Sequence, residues 1–217
     1  MQKKSTEEKK NNFSLALGLF DYINPILYSI TSITLAKNFY GVMKTPVFVI
    51  YLVGVALSLV FGFTIPTVKA IVGLGIMKFK MPVNLVCYVN CGIFISGIML
   101  FYTVIQPNPV LFAVVLAVVL ALLGLIYLKK RKFNTIAVLI GAVGYLLIYS
   151  TMITYCLGVD RIVSVVLYAV AICLFVGLVL IGIFADLKDA RVHWVIETCN
   201  VTCQLCVAIA TILAFRA

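Results

Sequence analysis

Two acidic residues lie inside apolar stretches where an ionised side chain is expensive: Asp21, in a run beginning at Phe13, and Glu197, in a run beginning at Val192. A charge buried in a membrane helix costs about 2.5 to 3.5 kcal/mol on insertion scales, so such an acid normally faces a cavity, a partner or a proton. Each acid heads a polar stripe. Asp21, Asn24 and Tyr28 recur at i, i+3 and i+7, with Pro25 leaving a backbone carbonyl free next to Asn24. His193, Glu197, Asn200 and Gln204 recur at i, i+4, i+7 and i+11, a single helix face. Carboxylates in this setting bind a cationic group or exchange a proton, and amides beside them hold a small solute through hydrogen bonds. The expected binding or proton-coupling set is therefore Asp21, Asn24, Asn90, His193, Glu197, Asn200 and Gln204, with His193 as a partner or interfacial anchor for Glu197. Asn84, Tyr88, Asn90, Tyr145, Tyr149 and Ser150 add shorter stripes, although single polar residues on spans more often bridge helices than bind ligands.

The elements that must carry these residues follow from composition. Of the 217 residues 64% are hydrophobic and 11% charged, and the mean hydropathy is +1.19, which describes a polytopic membrane protein and leaves no room for a soluble catalytic domain. The apolar runs are continuous rather than alternating, which excludes a strand-built barrel. A charged tail over residues 1–12 is expected to precede a single all-α membrane domain over residues 13–217. Seven spans are expected: Phe13 to Leu35, Thr45 to Phe63, Met81 to Ile105, Val110 to Leu128, Asn134 to Leu157, Ile162 to Phe184 and Val192 to Phe215. Pro66 is taken to end the second of these, and Thr64 to Lys80 reads as a surface-lying helix or an extension of its neighbours. Under this assignment no span contains Lys or Arg, so neither acid has a fixed cation beside it.

Charge in the short connections sets an expected orientation. With the N-terminus inside, thirteen Lys and Arg fall on inner segments, including Lys129, Lys130, Arg131 and Lys132, against four outside. The expectation is an integral protein of the plasma membrane with its N-terminus cytoplasmic and its C-terminus outside. Most of the net charge of +10 is explained by this rule, and with no basic stripe of interleaved aromatics, nucleic acid is not an expected partner.

An odd span count with a central fourth helix permits a 3 + 1 + 3 arrangement. Tyr28-Ser29 in the first span resembles Tyr149-Ser150 in the fifth, and Asn90 takes the place of Asn200. This layout is similar to that of the sugar-translocating SWEET proteins and PnuC-type vitamin carriers. The likeness is of layout alone, since the proline-glutamine signature is absent and the charge count gives the opposite orientation to the sugar carriers.

Seven cysteines and one histidine read as packing thiols and a lone ring rather than a metal centre, so no metal and no cofactor are expected. No lysine on the last span is available to hold retinal. The function these residues favour is that of a membrane carrier or permease for a small solute, with a polar cavity in the inner half of the bilayer. The expected partners are lipid and a solute or proton, with a homo-oligomer or a partner subunit also compatible. The alternatives are a non-catalytic subunit or scaffold whose stripes meet another chain, and an intramembrane enzyme using Asp21 and Glu197 for acid/base work, which lacks an identifiable nucleophile.

Overall fold

The computed structural model describes residues 14–76, 83–106, 133–184 and 190–216, together with 110, 112, 114 and 117. The expected N-terminal tail lies outside the described residues, as does the expected span Val110 to Leu128 apart from those four positions. The helices are α1 (Leu15–Asp21), α2 (Ile23–Phe39), α3 (Thr45–Gly73), α4 (Val83–Ile105), α5 (Phe133–Gly158), α6 (Ile162–Phe184) and α7 (Ala190–Ala214). The protein is an all-α, membrane-spanning bundle.

The expected count of seven spans is corrected to six helical segments among the described residues, of which five are long and apolar enough to cross a membrane. The sixth is the α1–α2 pair. It is interrupted at Tyr22 because Pro25 has no N–H to give the carbonyl four residues earlier, that of Asp21, and the helix breaks there into pieces of 7 and 17 residues. The 3 + 1 + 3 arrangement drawn from seven spans goes with that count.

A second correction concerns α3, which does not stop at Phe63. It continues through Pro66 to Gly73, so most of the stretch expected to lie on the surface is an extension of the helix. Proline is tolerated inside membrane helices where neighbours fill the local gap, and here the residue four positions before it is Gly62, against which Pro25 of α2 packs.

The segments pack as a closed ring in chain order, with α4 against both α3 and α5, α6 between α5 and α7, and the α1–α2 segment completing the circle between α7 and α3. Most neighbours are antiparallel, but two seams are parallel. Along α4 and α5, Asn90 meets Gly141 and Gly97 meets Gly144; along the first segment and α7, Asn24 meets Glu197 and Phe39 meets Phe215. Small residues set these distances. A methyl group on Gly92 would sit 2.5 Å from the Gly54 carbonyl of α3, and one on Gly97 would sit 2.6 Å from that of Gly144, so α4 touches both flanking helices backbone to backbone.

The two ends differ. At the end where α2, α5 and α7 finish, Phe39, Tyr155 and Phe215 form a triangle with centroids 5.2 to 5.7 Å apart, and the Arg161 guanidinium donates to the Arg216 carbonyl. At the end where α1 and α7 begin, Phe20 packs on the chain's single tryptophan, Trp194, at 5.6 Å.

Candidate functional site

The site begins with a close approach. Gly18 of α1 lies so near α3 that a methyl group there would be 2.6 Å from the Ala70 nitrogen, and Gly73 lies similarly against Leu15. With the two backbones in contact, the residue three positions after Gly18 faces the residue just before Ala70. Those residues are Asp21 and Lys69, and the Lys69 ammonium donates to Asp21 Oδ2 at 2.7 Å.

The same ammonium donates to Glu197 Oε1 of α7 at 2.5 Å. Opposite it, the Asn24 side-chain nitrogen donates to Asp21 Oδ1 and to Glu197 Oε2, both at 3.0 Å. The two carboxylates are thus clamped between one ammonium and one amide, and each of their four oxygens accepts a bond from one of these two donors. Burial is nearly complete: Lys69 is 4%, Glu197 5% and Asp21 7% exposed. Taking such charges out of water costs several kcal/mol per ion, and mutual attraction repays that only when the remaining hydrogen bonds are also made, which is what Asn24 supplies. Two carboxylates against one ammonium leave one negative charge in excess when all three are ionised.

One atom of this cluster has no partner. Asn24 turns its nitrogen to the carboxylates, and its buried carbonyl oxygen Oδ1 accepts no hydrogen bond from the described residues. Asn24 and Asp21 line a cavity of about 120 Å³, whose walls include Tyr28, Ser58, Tyr145, Asn200 and Gln204. At roughly 30 Å³ per molecule this holds about four waters. A second, smaller space of about 10 Å³ lies between Ser32, Tyr51, Ser96 and Tyr149. Tyr28, Tyr145 and Gln204 border both spaces, and so form the partition between them. The Tyr28 hydroxyl bonds Ser96, and Gln204 lies beside the Tyr145 hydroxyl.

Against protein families, curated proteins and solved structures the chain finds no match.

Of the residues singled out in the sequence, the structure brings Asp21, Asn24 and Glu197 into one hydrogen-bonded cluster and sets Asn200 and Gln204 on the wall of the adjoining cavity. His193 is buried one helical turn before Glu197. Asn90 is not at the cavity; it packs against Gly141 in the seam between α4 and α5. Tyr145 and Tyr149 turn inward, whereas Tyr88 is exposed and stacks on Phe61, and the Ser150 hydroxyl returns to the Leu146 carbonyl. The side chain of Asn84 lies outside the described residues. Among the described residues no group of three His, Cys, Asp or Glu side chains is placed to hold a metal ion.

Lys69 is the residue that the sequence reading missed, and it overturns the premise that no cation lies within a span. Its signal was present but masked. Reading Pro66 as a terminator put Lys69 among Lys78 and Lys80, when it is alone among apolar residues from Thr45 to Met77. Removing it from the inner tally of loop cations leaves the imbalance in the same direction.

Proposed function

We propose that the protein is a carrier for a small solute, with the cavity beside Asp21, Lys69 and Glu197 as its binding place. The observation that supports this most directly is a cavity of about 120 Å³ among the membrane-spanning helices, with Asp21 and Asn24 of the charged cluster on its wall. Ionisable residues inside membranes are rare, pair with one another, and commonly mark ion and substrate paths. Tyr28, Tyr145 and Gln204 close the cavity on one side, and beyond them the Phe39–Tyr155–Phe215 triangle packs the far end, an arrangement compatible with a carrier that opens to one side at a time. With the N-terminus inside, the larger chamber belongs to the cytoplasmic half.

The outer surface favours this over a scaffold whose polar stripes meet another chain. Hydroxyls exposed on the outside of the ring, those of Thr34, Thr64, Ser150, Thr154 and Thr202, each donate to a carbonyl one turn earlier in their own helix. Such a surface is suited to lipid. The acid/base enzyme reading is weakened because all four carboxylate oxygens already accept bonds from Lys69 and Asn24.

The test is a thermal-shift screen of the purified full chain against small polar solutes, cations, neutral amides and polyols, followed by counterflow of any hit in proteoliposomes. At least one solute is expected to stabilise the wild type, and the shift is expected to vanish in Asn200→Ala and Gln204→Ala. Absence of any stabilising solute, together with a membrane partner recovered at fixed stoichiometry, would replace the carrier with the scaffold.

A further inference from the structure

We infer that the cavity takes a small monovalent cation bearing N–H donors and gives up one proton for each cation bound. The inference deepens the carrier reading and rests on it for transport, though not for binding. Two observations carry it. The cluster that reaches the cavity wall through Asp21 and Asn24 joins two carboxylates to a single ammonium by its described ion pairs, so these three groups lack one positive charge at full ionisation. Beside it Asn24, 8% exposed, presents an acceptor oxygen with no donor among the described residues.

The hydrogen-bond inventory gives the ligand its polarity. Both hydrogens on the Asn24 nitrogen are committed to the carboxylates, and two of the three ammonium hydrogens of Lys69 are likewise committed. What the cluster itself has left over toward the cavity is mostly lone pairs, those of Asn24 Oδ1 and the second pair on each Asp21 oxygen, while the Asn200 and Gln204 amides on the same wall offer both carbonyl acceptors and N–H donors. A donor-rich guest satisfies these, and an anion or an acceptor-only solute would leave them bare. The Tyr28 and Tyr145 rings on the same wall add faces that attract a cation.

Charge balance then links the guest to a proton. In the empty site the missing charge is supplied by a proton on one of the two carboxylates; when a cation enters, that O–H bond breaks and the proton leaves through the cavity to water. One charge enters and one departs, so the buried total is unchanged. The described titratable groups around the acids are Lys69 from α3, bonded to both, and Tyr28 from α2 and Tyr145 from α5 on the cavity wall, with His193 buried one turn before Glu197 on α7, and α4 contributes only Val89 and Ile93 to the wall. Because proton and cation compete, apparent cation affinity falls as pH falls, by at most tenfold per pH unit for one proton exchanged.

Guanidinium and urea form the decisive pair of probes. They share a planar shape and N–H donors, and differ in that guanidinium carries a permanent charge. Binding is measured by calorimetry on the full chain in nanodiscs at millimolar ligand, with a pH dye in weak buffer reporting released protons. Guanidinium is expected to bind with release of about one proton, urea at least tenfold more weakly with none, and tetramethylammonium, which has the charge without donors, weakly as well. Glu197→Gln removes the excess charge and is expected to abolish proton release and weaken guanidinium at least tenfold. Equal affinity for guanidinium and urea, equal affinity for tetramethylammonium, or guanidinium binding without proton release would each overturn the inference in the wild type, whatever the variant does. Guanidinium that binds and releases a proton but is not moved across proteoliposomes leaves this site standing and removes the carrier. A neutral solute that is moved, with no guanidinium binding, does the reverse.

Discussion

Lys69 and Glu197 meet at 2.5 Å although α3 and α7, which carry them, are not packed against one another in the ring. The ammonium reaches past the α1–α2 segment, which lies between the two helices, and bonds Asp21 on the way. One side chain therefore ties three of the six segments together. Deleting one member of a buried ion cluster typically costs about 3 to 5 kcal/mol, because the charges left behind have no neutraliser. Lys69→Met is expected to lower thermal stability by an amount of that order in detergent, and the triple variant Lys69→Met/Asp21→Asn/Glu197→Gln to recover most of it. A single variant as stable as wild type would mean that the cluster bears little of the fold.

The two acids are expected to be unequal to their sum. Either Asp21→Asn or Glu197→Gln leaves Lys69 one carboxylate and keeps the side-chain volume, so each alone should change stability by less than about 1.5 kcal/mol. Together they strand a buried ammonium. Groups in one network show coupling energies of about 0.5 to 3 kcal/mol, so a double-mutant cycle by chemical or thermal unfolding should show the double variant destabilised well beyond additivity. Additive effects would separate Asp21 from Glu197 energetically despite their shared partners.

How much of this site the sequence disclosed depends on what each signal measures. Periodicity reports which residues share a helix face, and it therefore places Glu197, Asn200 and Gln204 on one side of α7 and Asp21 beside Asn24 on the first segment, near the positions they take around the charged cluster and the cavity. It says nothing about which faces meet, which is why Asn90 was included when it packs against Gly141 in a different seam. Local rules about Pro66 and nearby lysines ended α3 too early, because they omit what tertiary packing tolerates: Gly62 one turn back and Pro25 filling the space beside it. Lys69 meets Asp21 because Gly18 lets α1 close onto α3, a tertiary contact that no local rule reports. The break at Tyr22 is signalled by Pro25, whose missing N–H leaves the Asp21 carbonyl without its helical partner, and it divides the first segment without changing the number of segments.

The Gly18 contact yields its own prediction. A leucine at this position has no space between α1 and the Lys69–Ala70 backbone, so α1 must move outward. Overpacking costs about 1 to 3 kcal/mol, and the displacement also withdraws Asp21 from Lys69. Gly18→Leu is expected to lower stability and to weaken solute-induced stabilisation, whereas Leu19→Ala, altering an exposed neighbour, should do neither. Solute-induced stabilisation preserved in Gly18→Leu would show that Asp21 is positioned by something else.

Orientation can be checked at the opposite end of the ring. The turn at Gly41–Lys44, the turn at Asp160–Arg161 and the C-terminal Arg216 lie where α2, α5 and α7 finish, with Arg161 bonded to Arg216. Single cysteines placed at Lys44 and Arg161, in a background lacking the native thiols, are expected to react with an impermeant maleimide added to intact cells. Labelling at both positions only after the membrane is opened would invert the topology and move the larger chamber to the outside.

Trp194 sits on the same helix as the acid that closes the charged cluster, three residues before Glu197, and its ring rests on Phe20, the residue before Asp21. It is also the chain's single indole. Excitation at the red edge of the protein band therefore reads one place in the molecule, with no label attached, and that place is the junction of α1 and α7. Any step that parts those helices changes the polarity around the ring and shifts its emission. The timing of events at the charged cluster can thus be followed by stopped-flow fluorescence on the unmodified protein.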